Sequence, residues 1–182
     1  MNPKAEAEME SEIMKGSSPL AVYLLPFLPK AKLSYAEYET KETKGVDRGV
    51  VERLKARGVK RLTFHFDILD VFVNDPTLLK TAPRLSEKRL KGLSKELAAF
   101  KEEMYEFMRG LDPPDEDATY MGAVTFDLFR ERIALAYETF LWDDREEEWT
   151  PARDTAVKVE VSLEKFLKLK EKVKTLQALS EC

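Results

Sequence analysis

The sequence predicts an α+β fold, a small mixed or antiparallel sheet packed by a long central helix over about residues 87–109 and a C-terminal helix over about 163–179. Three observations point there. Leu90, Leu93, Leu97, Phe100, Met104, Phe107 and Leu111 advance in steps of three and four, as do Phe166, Leu169, Val173 and Leu176; that spacing draws an apolar stripe along a helix. The stretch RLTFHFDI instead sets Leu62, Phe64, Phe66 and Ile68 against Arg61, Thr63, His65 and Asp67, the two-residue period of a strand with one buried face. Finally, start and stop signals bracket these segments.

In chain order, residues 1–18 are polar, acidic and end in GSSP, so they read as a mobile leader ahead of a single domain over 19–182. LAVYLL and KLSYAEYE read as two strands separated by Pro26 and Pro29, with a sheet edge in that region. A short basic helix follows, capped by Asp47, stapled by Val46 and Val51, and closed at Gly58. The strand 61–68 comes next. The long helix starts at a Ser86 cap with a Leu85–Leu90 staple and closes at Gly110, and Asp112, Pro113 and Pro114 block its continuation. DPPDEDATYMG is a loop. Residues 125–142 fit either a helix, through Phe129, Ile133, Ala136 and Phe140, or a hairpin, through Ile133, Leu135 and Tyr137; the lack of turn residues at RER favours the helix. DDREEEWTPARD is a charged connection into the strand TAVKVEV, and Ser162 caps the last helix with Val161 and Phe166 as its staple.

A chain of 182 residues suits one domain with a real core. Its charged fraction of 35% is above the usual quarter and is dominated by Lys and Glu, a mark of thermophile proteins and equally of long surface helices in mesophiles. The single cysteine, Cys182, supports no internal disulfide and fits a reducing, cytoplasmic setting. The longest apolar run is broken by Pro26 and is too short to span a bilayer, so no membrane partner is expected. A net charge of -4 conceals segregation: Lys44–Arg61 carries seven basic residues against two acids, whereas Asp112–Glu148 carries twelve acids against three arginines. A field of that kind attracts phosphate or an oppositely charged protein.

With one histidine and one cysteine, the usual Cys and His zinc sites cannot form within one chain. No G-x-S-x-G elbow, G-x-G-x-x-G turn or Walker loop is present. The sequence implies no cofactor. Candidate chemistry is confined to HFDILD, where His65, Asp67 and Asp70 near a strand's end are the arrangement a magnesium-dependent phosphoryl-transfer enzyme or nuclease uses; the simpler reading is the solvated half of an alternating strand. Arg53, Arg57, Lys60 and Arg61 form a basic patch suited to the phosphates of a nucleic acid, with Tyr35 and Tyr38 as possible stacking partners, or else a plain solvated helix face. WDDREEEW reads either as a docking loop for a basic partner or as a solvated connection whose Trp142 and Trp149 enter the core, and the second is preferred.

The expected function is therefore non-catalytic interaction or assembly through protein contacts. The stripes of Leu93, Leu97, Phe100, Met104, Phe107, Leu169, Val173 and Leu176 read first as ordinary core covered by the sheet and the closing helix, and part of them would also serve as the interface of a homo-oligomer. A nucleic-acid-binding protein is the alternative, and a magnesium enzyme the third.

Overall fold

The computed structural model describes residue 4 and residues 18–28, 32–33, 45–66, 71–74, 92–112 and 115–180. Within them stand four helices and a six-stranded antiparallel sheet, the α+β class expected from the sequence.

The first helix, α1 (Pro19–Leu24), replaces the strand expected at LAVYLL. A short apolar run does not by itself distinguish the two states; here the flanking chemistry decides. Ser18 Oγ accepts a hydrogen bond from Ala21 N at 3.3 Å, and Pro19 occupies the first turn, where its missing N–H costs nothing. Ser18 is itself fully buried, so the ordered fold reaches the last residue assigned to the leader. Pro26 then ends the helix in one 3-10 turn, Leu25–Phe27. Of the second expected strand only β1 (Lys32–Leu33) is described, paired with β4 (Leu111–Asp112). The remainder, with Tyr35 and Tyr38, lies outside the described residues.

Helix α2 (Arg48–Ala56) follows the sequence signals. Asp47 Oδ1 accepts from Val50 N at 2.8 Å, Val46 and Val51 are buried together, and Gly58 takes the left-handed φ of 83° that closes the helix. Strand β2 (Arg61–His65) lies between β3 (Val71–Val73) and β5 (Ala118–Asp127). Asn74 ties these segments: at φ 56° its Oδ1 accepts from the N–H groups of Lys60 and Arg61, and its Nδ2 donates to the Gly58 carbonyl.

The long helix, α3 (Ser94–Gly110), starts later than expected. Gly92 and Leu93 form a turn, Leu93 occupies the cap position without a side-chain bond, and Ser86 with its staple lies outside the described residues. Gly110 does not close the helix in a left-handed conformation. It is the last helical residue, buried against Ala21, and the chain passes directly into β4.

Residues 125–142 form a hairpin and not the preferred helix: β5 and β6 (Arg132–Asp143) pair in register from Ala118↔Leu141 to Asp127↔Arg132. Cross-strand burial of Val124, Phe126, Ile133, Leu135 and Tyr137 on one face outweighs helix propensity here. Gly122 is required in β5, because a Cβ there would stand 2.1 Å from the Ala136 carbonyl oxygen. The charged connection likewise contains β7 (Glu148–Pro151), paired with the far end of β6, and its tryptophans stay out of the core. β8 (Val157–Ser162) pairs with the near end of β6. β7 and β8 thus run end to end along one edge of β6, and the extra residues between them bulge out, held by Thr155 Oγ1 accepting from Thr139 N and donating to Ala152 O.

The last helix, α4 (Leu163–Ser180), is capped as expected, with Ser162 Oγ accepting from Lys165 N at 3.2 Å. Leu62, Phe64, Val124, Phe126, Ile133 and Leu135 share one core with α1, α2, α3 and the start of α4. Between α3 and α4 lies a buried ion pair, Lys170 Nζ to Glu103 Oε2 at 2.5 Å. Burial pushes the Glu103 carboxyl above its ordinary pKa, and Lys170 only partly offsets that.

Candidate interaction surface

Large apolar side chains that a fold leaves in water are informative where they gather. Trp142 and Trp149 gather at the far end of β6 and β7, where they are 37% and 38% exposed, while Leu141, 43% exposed, lies on the opposite face of the sheet. Trp142 and Trp149 stand directly opposite each other in the ladder, and their rings meet edge to face at 5.4 Å. The arm is anchored to the body by Trp142 N–H donating to the Asp117 carbonyl at 2.8 Å.

Beyond the tryptophans the chain turns through Asp143–Glu148. Asp143 Oδ1 accepts from the N–H groups of Arg145 and Glu146, and Glu147 adopts a left-handed φ of 52°, which completes the turn. Five acids, Asp143, Asp144, Glu146, Glu147 and Glu148, surround the single Arg145, and all but Asp143 are exposed. Among the described residues none of the five has an ion-pair partner. A rigid aromatic pair beneath a negative tip can take the apolar stems of lysines or arginines on the rings while the acids meet their charges. On the same sheet face the surface continues into a shallow hollow of about 480 Å³ lined by Met121, Ala136, Glu138, Phe140 and Lys158.

The residues singled out from sequence fall elsewhere. Leu93, Leu97, Phe100, Met104 and Phe107 line the core of this same chain, each at most 6% exposed. Leu169 and Val173 pack with Val22 in a satellite cluster, and the Leu176 side chain lies outside the described residues. The described part of the stripe is therefore core of this same chain, the favoured of its two readings, and is not open to a second copy.

Two of the four side chains of the basic patch are engaged within the chain. Arg53 Nε pairs with Glu96 Oε1 at 3.1 Å, and Arg57 reaches the Gly92 carbonyl, so both side chains help dock α2 on α3. Lys60 and Arg61 sit at the start of β2, where Asn74 holds their backbone. His65 is half-buried on β2, its ring edge to face with Phe72 at 5.1 Å. Asp67 and Asp70 lie outside the described residues. Among perturbed groups, burial pushes the Tyr137 phenol up to about 12, with Tyr120 adding to the shift; its hydroxyl donates to the Phe27 carbonyl at 2.7 Å.

The WDDREEEW cluster stands out in the sequence, but its tryptophans do not take the core positions preferred for them. The overlooked signal was the symmetry of the segment: two aromatics flanking a run of acids fit opposite strand positions across a turn. Among the described residues no helix is long and apolar enough to cross a membrane. Comparison with protein-family models, with curated proteins and with solved structures finds no match to this chain.

Proposed function

We propose that the protein is a non-catalytic interaction and assembly protein acting through protein–protein contacts, and that the β6–β7 arm is where it receives a partner with a basic surface. One observation carries the reading: the exposed pair Trp142 and Trp149 adjoins five acids that have no ion-pair partner among the described residues. Tryptophan is the side chain most enriched where binding energy concentrates, and a ring of like charge selects the sign of the partner. The engagement of Arg53 with Glu96 and of Arg48 with Glu131 favours this surface over the basic helix as the contact region. A cytoplasmic setting, suggested by the lone Cys182, and self-association belong to the same reading.

The chain has only two tryptophans and both lie on the arm, so intrinsic fluorescence reports on this surface directly. A Lys- and Arg-rich peptide is expected to change the emission with an affinity that falls as salt rises. The double variant Glu146→Lys, Glu147→Lys should weaken that binding at least about tenfold, as reversal of charge at a binding rim predicts. An emission that ignores the basic peptide, or responds equally to an acidic one, would defeat the assignment.

A further inference from the structure

The free side of β8 is a second place where backbone and side chains await a partner. Leu163 N donates to Glu131 O, and the same register runs through Val161↔Ile133, Val159↔Leu135 and Val157↔Tyr137. The alternation of an antiparallel ladder then directs the backbone groups of residues 157, 159 and 161 toward β6 and those of 158, 160 and 162 away from it. Tyr23 satisfies the outward Ser162 carbonyl at 3.2 Å and closes that end of the edge. Among the described residues β8 pairs with β6 alone, and nothing meets the outward N–H and C=O groups of Lys158 and Glu160.

Folded proteins blunt such edges. Pro151 and the bulge do so along β7, and β3 is only three residues long. Residues 157–162 carry neither device.

We infer that β8 is a self-pairing edge, and that a second copy of this chain adds its own β8 antiparallel about a two-fold axis at Val159. This deepens the assembly part of the proposed function and rests on it, but uses a different surface from the β6–β7 arm. Charge complementarity selects both occupant and register. With the axis at Val159, Lys158 of each copy stands opposite Glu160 of the other, in two hydrogen-bonded pairs that each exchange both N–H···O bonds. Symmetric pairing about Lys158 would set lysine against lysine, and pairing about Glu160 would set glutamate against glutamate, both unfavourable in directly opposed positions. On the other sheet face the same register puts Val159 against Val159 and Val157 against Val161, covering the half-buried Val157 and Val159. Lys158 has no ion-pair partner among the described residues, and Glu160 has only a solvent-exposed contact with Arg130 at 3.8 Å.

The test is sedimentation of the full chain over a wide concentration range. The wild type should form a dimer. Lys158→Glu sets glutamate opposite glutamate and Glu160→Lys sets lysine opposite lysine, so each alone should weaken dimerisation about tenfold or more. The combined K158E/E160K chain restores opposite charges at both places and should recover the dimer. Both substitutions are on exposed side chains, and circular dichroism confirms that each of the three variants is folded. A monomeric wild type, or a dimer untouched by the single reversals, overturns the inference. So does a double variant no better than the singles. A monomer whose tryptophan emission still answers the basic peptide would sink the self-pairing edge and leave the arm standing; a charge-dependent dimer indifferent to that peptide would do the reverse.

Discussion

The two hairpins that share β6 close with the same local chemistry and stand in opposite surroundings. In each, an aspartate at the last strand position accepts a hydrogen bond from the N–H three residues on: Asp127 from Arg130 at 2.9 Å, Asp143 from Glu146 at 3.4 Å. In each, the fourth loop residue is a glutamate in the left-handed region, Glu131 at φ 54° and Glu147 at φ 52°. Around the first turn the body closes on the first and fourth loop residues, while Phe129 between them stays exposed. Leu128 is fully buried, its N–H donates to the Lys60 carbonyl, and Glu131 meets Arg48 at 2.5 Å and Lys55 at 4.0 Å. Around the second, the corresponding positions are acids in water. Local sequence therefore sets the shape of a turn, and the neighbours decide whether that turn holds the fold together or remains available to another molecule.

The largest effect that would sharpen this contrast comes from the first residue of each loop. Leu128→Ala removes a fully buried side chain and should cost about 2–5 kcal/mol in urea unfolding, whereas Asp144→Ala at the equivalent position should stay within about 0.5 kcal/mol. Similar losses at both sites would erase the distinction between a structural and a presented turn. Glycine at the left-handed positions asks a finer question. Glu147→Gly relieves an unfavourable backbone conformation and should raise stability by about 1 kcal/mol. Glu131→Gly gains the same relief but loses the contacts with Arg48 and Lys55, so its net change should be near zero. Thermal melts of both variants measure the difference, and a gain at residue 131 equal to that at 147 would mean that the ion pairs contribute nothing.

The same contrast explains what was legible in the sequence. Signals contained in a few consecutive residues survived: Asp47 with Val46 and Val51, Gly58, Ser162 with Phe166, and the alternation through Leu62 and Phe64 all appear in the structure. The β5–β6 hairpin did not, because its turn uses Asp127 and a left-handed Glu131 in place of glycine or asparagine, and Glu131 meets Arg48 and Lys55 from a helix distant in sequence. LAVYLL failed for a related reason: its helix is settled by the Ser18–Pro19 start and burial against α3 and α4, which a short apolar run cannot announce. The candidate site was visible only in part. The acids and tryptophans of WDDREEEW stand out in the sequence, but their exposure depends on where the sheet ends, a property of the assembled fold.

The smallest expected effect asks whether the uncovered arm is preformed. Trp142 and Trp149 have no core behind them comparable to that behind Phe126 and Ile133 at the other end of β6, so their mutual contact is a main source of order at the tip. A double-mutant cycle with Trp142→Ala and Trp149→Ala should give a coupling of about 0.5–1 kcal/mol, the low part of the range for aromatic pairs because both rings remain in contact with water. A measurable coupling means that the rings face each other before any partner arrives, and binding is spared the cost of ordering them. A coupling of zero would make them two independent exposed side chains and remove the preorganisation on which recognition by the arm depends.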